Sequence, residues 1–85
     1  MDSSTLLRIY INMIRKYISQ DFTEEQLDMS MRDLNINSFH VIEIMIALEV
    51  EFQIEFPDNL INPALFYSPK TLFNGLIQVM SRDMT

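Results

Sequence analysis

Over residues 4–19 the apolar positions recur at helical spacing. Leu6, Tyr10, Met13 and Tyr17 make one stripe, and Leu7, Ile14 and Ile18 widen it. Arg8, Asn12, Arg15 and Lys16 fall mostly outside that stripe, and Ser3 or Ser4 supplies a start signal, so a first helix is predicted here. A long connection follows, "SQDFTEEQLDMSMRDLNIN". Thr23 with Gln26 three residues on has the form of a capping box and marks a short turn. Leu27, Met29, Met31, Leu34 and Ile36 are the positions expected to pin this connection to a core. A loop of that length in a small domain points to function rather than filler.

A second helix is predicted from residue 39 to about 53, with Ser38 as its N-cap. At about 100° per residue, Val41, Ile44, Met45, Leu48 and Phe52 share the face that must be buried. The opposite face carries Phe39, Glu43, Ile46, Ala47 and Val50, an unusually apolar outside. A contiguous apolar group on a surface indicates contact with another protein, whereas the plainer reading tucks Phe39 or Ile46 beneath a loop. After the connection "QIEFPDNLI", anchored by Ile54 and Phe56, two pairs repeat one device. Asn62-Pro63 and Ser68-Pro69 each place a polar cap before a proline at the first helical position. They predict a short third helix around 63–67 and a fourth from 69 to about 82. In the fourth, Leu72, Phe73, Leu76, Ile77 and Met80 form the buried stripe, interrupted by Gly75 at a cost of about 1 kcal/mol relative to alanine. The fold class expected is all-α: one small four-helix bundle over residues 1–85, with a short third helix and a long first loop.

Composition narrows the function. No apolar run approaches the ~20 residues that a bilayer span needs. The start "MDSSTLLRIYINMIRKY" lacks the basic leader and apolar stretch of a secretory signal, so no membrane association and a cytoplasmic location are expected. With no cysteine there is no disulfide, thiolate metal site or thiol nucleophile. Twelve acidic residues against six basic ones give a net charge of −6, which argues against a nucleic-acid partner. From Asp33 to Pro69 there is no Lys or Arg, while Glu43, Glu49, Glu51, Glu55 and Asp58 all lie within. Such a one-signed surface suits a basic partner, or simply keeps a helix face wet.

The stretch "DLNINSFHVIE" allows three kinds of chemistry. As a calcium loop, Asp33, Asn35 and Asn37 would be alternate oxygen ligands. That pattern fails at its sixth position, where Ser38 replaces the glycine of the sharp turn, and at its twelfth, where Ile44 stands one residue after Glu43. A one-residue error on a helix rotates a side chain by about 100°. As a nucleophile, Ser38 would need His40 as its base, and residues two apart on a helix do not face each other. No Gly-rich oxyanion or phosphate loop accompanies them, so neither a metal site nor catalysis within the chain is expected.

What remains is a serine displayed at a helix start in an acidic domain. The run "DLNINSFHVIEIMIALEVEFQIEFPD" resembles the core of the acyl carrier proteins, whose pattern is Asp-Leu-Gly-x-Asp-Ser-Leu, then Glu, a Leu-Glu pair, Phe, and Ile-x-x-Pro. Asp33, Leu34, Ser38, Glu43, Leu48, Glu49, Phe52 and Pro57 fill the corresponding places. The resemblance is close over the second helix and loose over the remainder. It implies that Ser38, flanked by Asn37 and Phe39, carries phosphopantetheine delivered from coenzyme A by a separate phosphopantetheinyl transferase. It also implies a non-enzymatic monomer that presents acyl thioesters to acyl-transferring and acyl-modifying enzymes with basic docking patches. Phe39, Glu43, Ile46, Glu49, Val50 and Asp58 are then the docking residues, with Glu51 and Glu55 adding field. The chain departs from the family at Asn35 for Gly, Asn37 for Asp, Phe39 for Leu, and at Val50, where an acid is common. Those departures imply a specialised carrier with a dedicated partner, in a secondary-metabolite or modified fatty-acid pathway rather than bulk lipid synthesis. The alternative expectation is an arm-less interaction subunit that docks through Phe39, Ile46 and Val50.

Overall fold

A computed structural model describes residues 2–83. Three α-helices, α1 (Ser3–Ile14), α2 (Ser38–Phe52) and α3 (Pro69–Asp83), are joined by connections that each hold a 3₁₀ turn or hydrogen-bonded turns, with no strand among the described residues. The all-helical prediction holds, but the short third helix does not form. Residues 63–66 are turns, closed by the Leu65 N–H to the Asn62 carbonyl and the Tyr67 N–H to the Ala64 carbonyl. Asn62 does cap this segment, its Oδ1 accepting the Leu65 N–H at 3.1 Å. Ser68 begins the next helix before a second helical turn can propagate, and a nucleus without propagation stays a turn. A separate 3₁₀ turn over Asp58–Leu60 has no counterpart in the predicted elements.

Helix α1 starts at Ser3, one residue before the predicted residue 4, because Asp2 and neither serine is the cap: its Oδ1 accepts the Thr5 N–H at 2.8 Å. That backbone donor holds the exposed Asp2 carboxyl below the usual carboxylate range. The α-helix also stops at Ile14 instead of reaching residue 19. Beyond it the bonds tighten to Lys16 N–H on the Met13 carbonyl and Tyr17 N–H on the Ile14 carbonyl. The Arg15 Nε donates to the Phe22 carbonyl at 2.8 Å, drawing the returning chain against the helix end.

The core runs from Leu6 to Val79 through all three helices. Tyr10, Ile14, Phe22, Ile44, Leu48, Leu72 and Leu76 are almost wholly removed from water. Of the predicted stripes, Leu6, Tyr10, Ile14, Val41, Ile44, Leu48, Leu72, Phe73 and Leu76 are buried, and Met13, Met45, Phe52, Ile77 and Met80 are partly so. Ile11 and Val79 join the buried set from outside those stripes. The Tyr10 and Phe73 rings pack with centroids 5.0 Å apart, and the Tyr10 hydroxyl donates to the Pro69 carbonyl at 2.6 Å. One side chain thus fastens α1 to the first residue of α3. Burial pushes the Tyr10 phenol far above its ordinary value.

Two long connections are tied to this core. Met31 and Ile36 anchor the first, as predicted, with Leu27 and Leu34 partly buried; Met29 is exposed, and Phe22, outside the predicted anchors, is buried. Backbone bonds from Met31 N–H to the Tyr67 carbonyl (2.7 Å) and from Lys70 N–H to the Leu27 carbonyl (3.0 Å) stitch that connection to the approach of α3. Gly75 lies where this packing is tightest: a Cβ there would run into the Leu65 side chain. The glycine that weakens α3 as an isolated helix therefore admits the turn beside it.

Candidate functional site

The chain reaches α2 through a single helical turn over residues 31–34 that ends at Asn35. Asn35 takes the left-handed conformation, with φ of 61°. Its N–H bonds the Arg32 carbonyl at 3.0 Å, and the next N–H, of Ile36, bonds back to the Met31 carbonyl at 2.9 Å. This is the Schellman arrangement, which favours glycine and tolerates asparagine best among the others. Ile36 is buried and acts as a plug below the turn. With Ile36 facing inward, Asn37 and Ser38 emerge at the surface, both exposed.

Asn37, not Ser38, caps α2. Its Oδ1 accepts the His40 N–H at 2.9 Å, and its carbonyl accepts the first helical bond, from Val41 N–H at 3.1 Å. Ser38 is thereby moved to the first helical position. A capping hydroxyl would be occupied by the backbone, whereas the Ser38 hydroxyl takes no part in the cap. The Ser38 and Phe39 N–H groups precede the first intrahelical donor and remain available to an anion at the positive end of the helix. The same geometry places the third oxygen of the calcium pattern, that of Asn37, on the His40 amide. Among the described residues no cluster of three or more His, Asp or Glu side chains is arranged to hold a metal.

The outer face of α2 is apolar along its whole length. Phe39 is 78% exposed and Val50 74%, with Ile42 and Ile46 between them, at spacings of three, four and four residues. Neither Phe39 nor Ile46 tucks beneath a loop. Ile42 extends the predicted face, and its position three residues after Phe39 is the signal that places it there. Glu43 is exposed beside this stripe, and Asp58 is exposed at the start of its 3₁₀ turn. Glu49 differs from them. Its Oε2 accepts the Phe56 N–H at 2.9 Å, holding the connection after α2 against the helix. Gln53 ends α2 in the left-handed conformation, φ 53°, and Ile54 N–H closes back on the Glu49 carbonyl at 3.1 Å. Glu49 therefore serves the helix end with both its carboxylate and its carbonyl.

No helix among the described residues is long and apolar enough to cross a membrane. No protein-family model matches the chain. Among solved structures, the chain is similar to the acetyl actinorhodin acyl carrier protein from Streptomyces coelicolor, determined in solution, with a TM-score of 0.67. The superposition covers 98% of this chain and 94% of that one, at 17% sequence identity. What the two chains share is therefore a fold, the all-helical arrangement of an acyl carrier protein.

Proposed function

We propose that this chain is an acyl carrier protein that holds acyl thioesters on a phosphopantetheine arm attached to Ser38. The observation that carries the reading is the Ser38 hydroxyl, exposed at the first turn of α2 and relieved of capping by Asn37. A phosphodiester on that oxygen would lie against the unpaired Ser38 and Phe39 N–H groups, where a helix favours negative charge. The arm's thiol supplies the thioester chemistry, which a chain without cysteine cannot supply itself. Ser38 is then the acceptor for a separate phosphopantetheinyl transferase, with Asn37 and Phe39 the neighbours that enzyme reads.

Partner enzymes of a polyketide, fatty-acid or related secondary-metabolite pathway would dock on α2. Phe39, Ile46 and Val50 offer the apolar contact, joined by Ile42, and Glu43 and Asp58 offer charge to a basic patch. Glu49 contributes charge from a fixed position, since its carboxylate is already bonded to the Phe56 N–H. Electrostatic pairing of this kind speeds encounter more than it tightens the complex, which suits a carrier that visits several enzymes in turn. The reading predicts the outcome of incubation with coenzyme A and a broad-specificity transferase. Intact mass should rise by one phosphopantetheine in the wild type and not at all in Ser38→Ala. The exposed stripe on α2 also supports a second reading, an arm-less interaction subunit docking through Phe39, Ile46 and Val50. Failure of every transferase to add an arm would favour it.

A further inference from the structure

The acids beside the apolar face of α2 have a counterpart elsewhere in the chain's charge distribution. Residues 3–20 carry no Asp or Glu, and they hold Arg8, Arg15 and Lys16, half of the chain's six basic residues. Arg8 on α1 and Arg15, which caps the helix end, are seven residues apart, about two helical turns along one side. Both line a cleft of about 370 Å³ between α1 and the chain entering a 3₁₀ turn over Glu24–Gln26. Leu7 and Ile11 contribute apolar surface to the cleft, and Asn12 and Thr23 contribute polar groups. In volume it lies within the range of small-ligand sites.

The arginines are not consumed by the fold's own electrostatics. Among the described residues the one ion pair joins Lys70 to Asp28 at 3.2 Å, so neither guanidinium has a carboxylate partner, although acids outnumber bases two to one. Arg15 is held in place by neutral acceptors, with Nε on the Phe22 carbonyl at 2.8 Å and Nη1 on the Asn12 Oδ1 at 3.3 Å. Those bonds orient the guanidinium and leave further donors over the cleft. Glu24 also lines the cleft, unpaired with either arginine, and its charge opposes an incoming anion.

We propose that this cleft binds a small amphiphilic anion, a carboxylate or phosphate monoester on a short apolar body. The charged head would bond Arg8 and Arg15, which match such groups in fork geometry, and the body would cover Leu7 and Ile11. The site is on α1, apart from Ser38, so it stands or falls independently of the carrier function. Titrations of the full chain with hexanoate and with hexyl phosphate, followed by amide chemical shifts, test it. Saturable shifts should centre on residues 4–15 and 23–24 and persist unchanged in Ser38→Ala. Arg8→Ala, at an exposed position, should weaken binding about tenfold, the loss expected for one charge-assisted hydrogen bond. Glu24→Gln should tighten it. Whichever of the two ligands binds more tightly identifies the head group. Hexanol binding as tightly as hexanoate would overturn the role of the arginines, and inorganic phosphate binding as tightly as hexyl phosphate would overturn the role of the apolar surface. Shifts equal in the wild type and Arg8→Ala, or none with either anion at millimolar concentration, would refute the site.

Discussion

At the scale of the residue, the exchange of roles between Asn37 and Ser38 has a measurable consequence. If Asn37 holds the cap, Asn37→Ala should cost about 1 kcal/mol of folding stability. Ser38→Ala should stay within about 0.5 kcal/mol, the usual range for a surface change without such a feature. Denaturant unfolding of the two variants separates them, and the reverse order would return the cap to Ser38. Tyr10 makes a second residue-scale test. Its folded pKa lies above its unfolded value of about 10, because burial disfavours the phenolate. The stabilising contribution of the neutral ring is therefore fully present below that pH and is lost as pH rises further. Tyr10→Phe should cost about 1 kcal/mol near neutrality by removing the hydroxyl's bond to the Pro69 carbonyl. The same variant should lose the decline in stability above pH ~10. An unchanged alkaline decline would place its origin elsewhere.

At the scale of the element, helical periodicity made the three main helices legible, and end signals were less dependable. Ser68-Pro69 opens α3 as its pattern predicts, with Thr71 N–H on the Ser68 Oγ at 3.1 Å. Asn62-Pro63 is the same kind of pair and yields only turns. The difference is room along the chain, since the residues after Asn62 run out at Ser68, which must already cap another helix. Ser38 likewise reads as a cap by residue type, but the preceding asparagine is an equally good one and the Schellman turn at Asn35 delivers it first. The tertiary bond from Glu49 to Phe56, seven residues away, has no signal in local spacing. Gly75 is similar, for only the packed structure brings Leu65 against it. A double-mutant cycle makes that contact measurable. With Leu65→Ala as background, Gly75→Ala should stabilise α3 by about 1 kcal/mol through helix propensity. In the wild type the added methyl meets Leu65, so that gain should vanish or reverse. Equal effects in both backgrounds would show that the two residues do not compete for space.

At the scale of the whole molecule, the apolar face on α2 rimmed with acids and the arginine-lined cleft beside α1 would, as proposed, serve two kinds of partner. Charge reversal at Glu43 or Asp58 should slow transfer to partner enzymes at low salt, where screening is weakest, and leave the unfolding midpoint in place. Glu49→Lys should do both, slowing transfer and removing about 1 kcal/mol of stability as the Phe56 N–H loses its acceptor. Partner rates indifferent to all three reversals would rule out an electrostatic docking face.

The proposed tether can be located directly. The chain lacks Lys and Arg from Asp33 to Pro69, so trypsin releases residues 33–70 as one peptide containing two serines, Ser38 and Ser68. Ser38 is exposed, while Ser68 is 3% exposed and its Oγ is held by the Thr71 N–H. Fragmentation of that peptide, from protein purified from its native host, should show phosphopantetheine on Ser38, with any cargo still bound through its thiol. A peptide wholly unmodified at Ser38, even after exposure to coenzyme A and an active transferase, would contradict a carrier role.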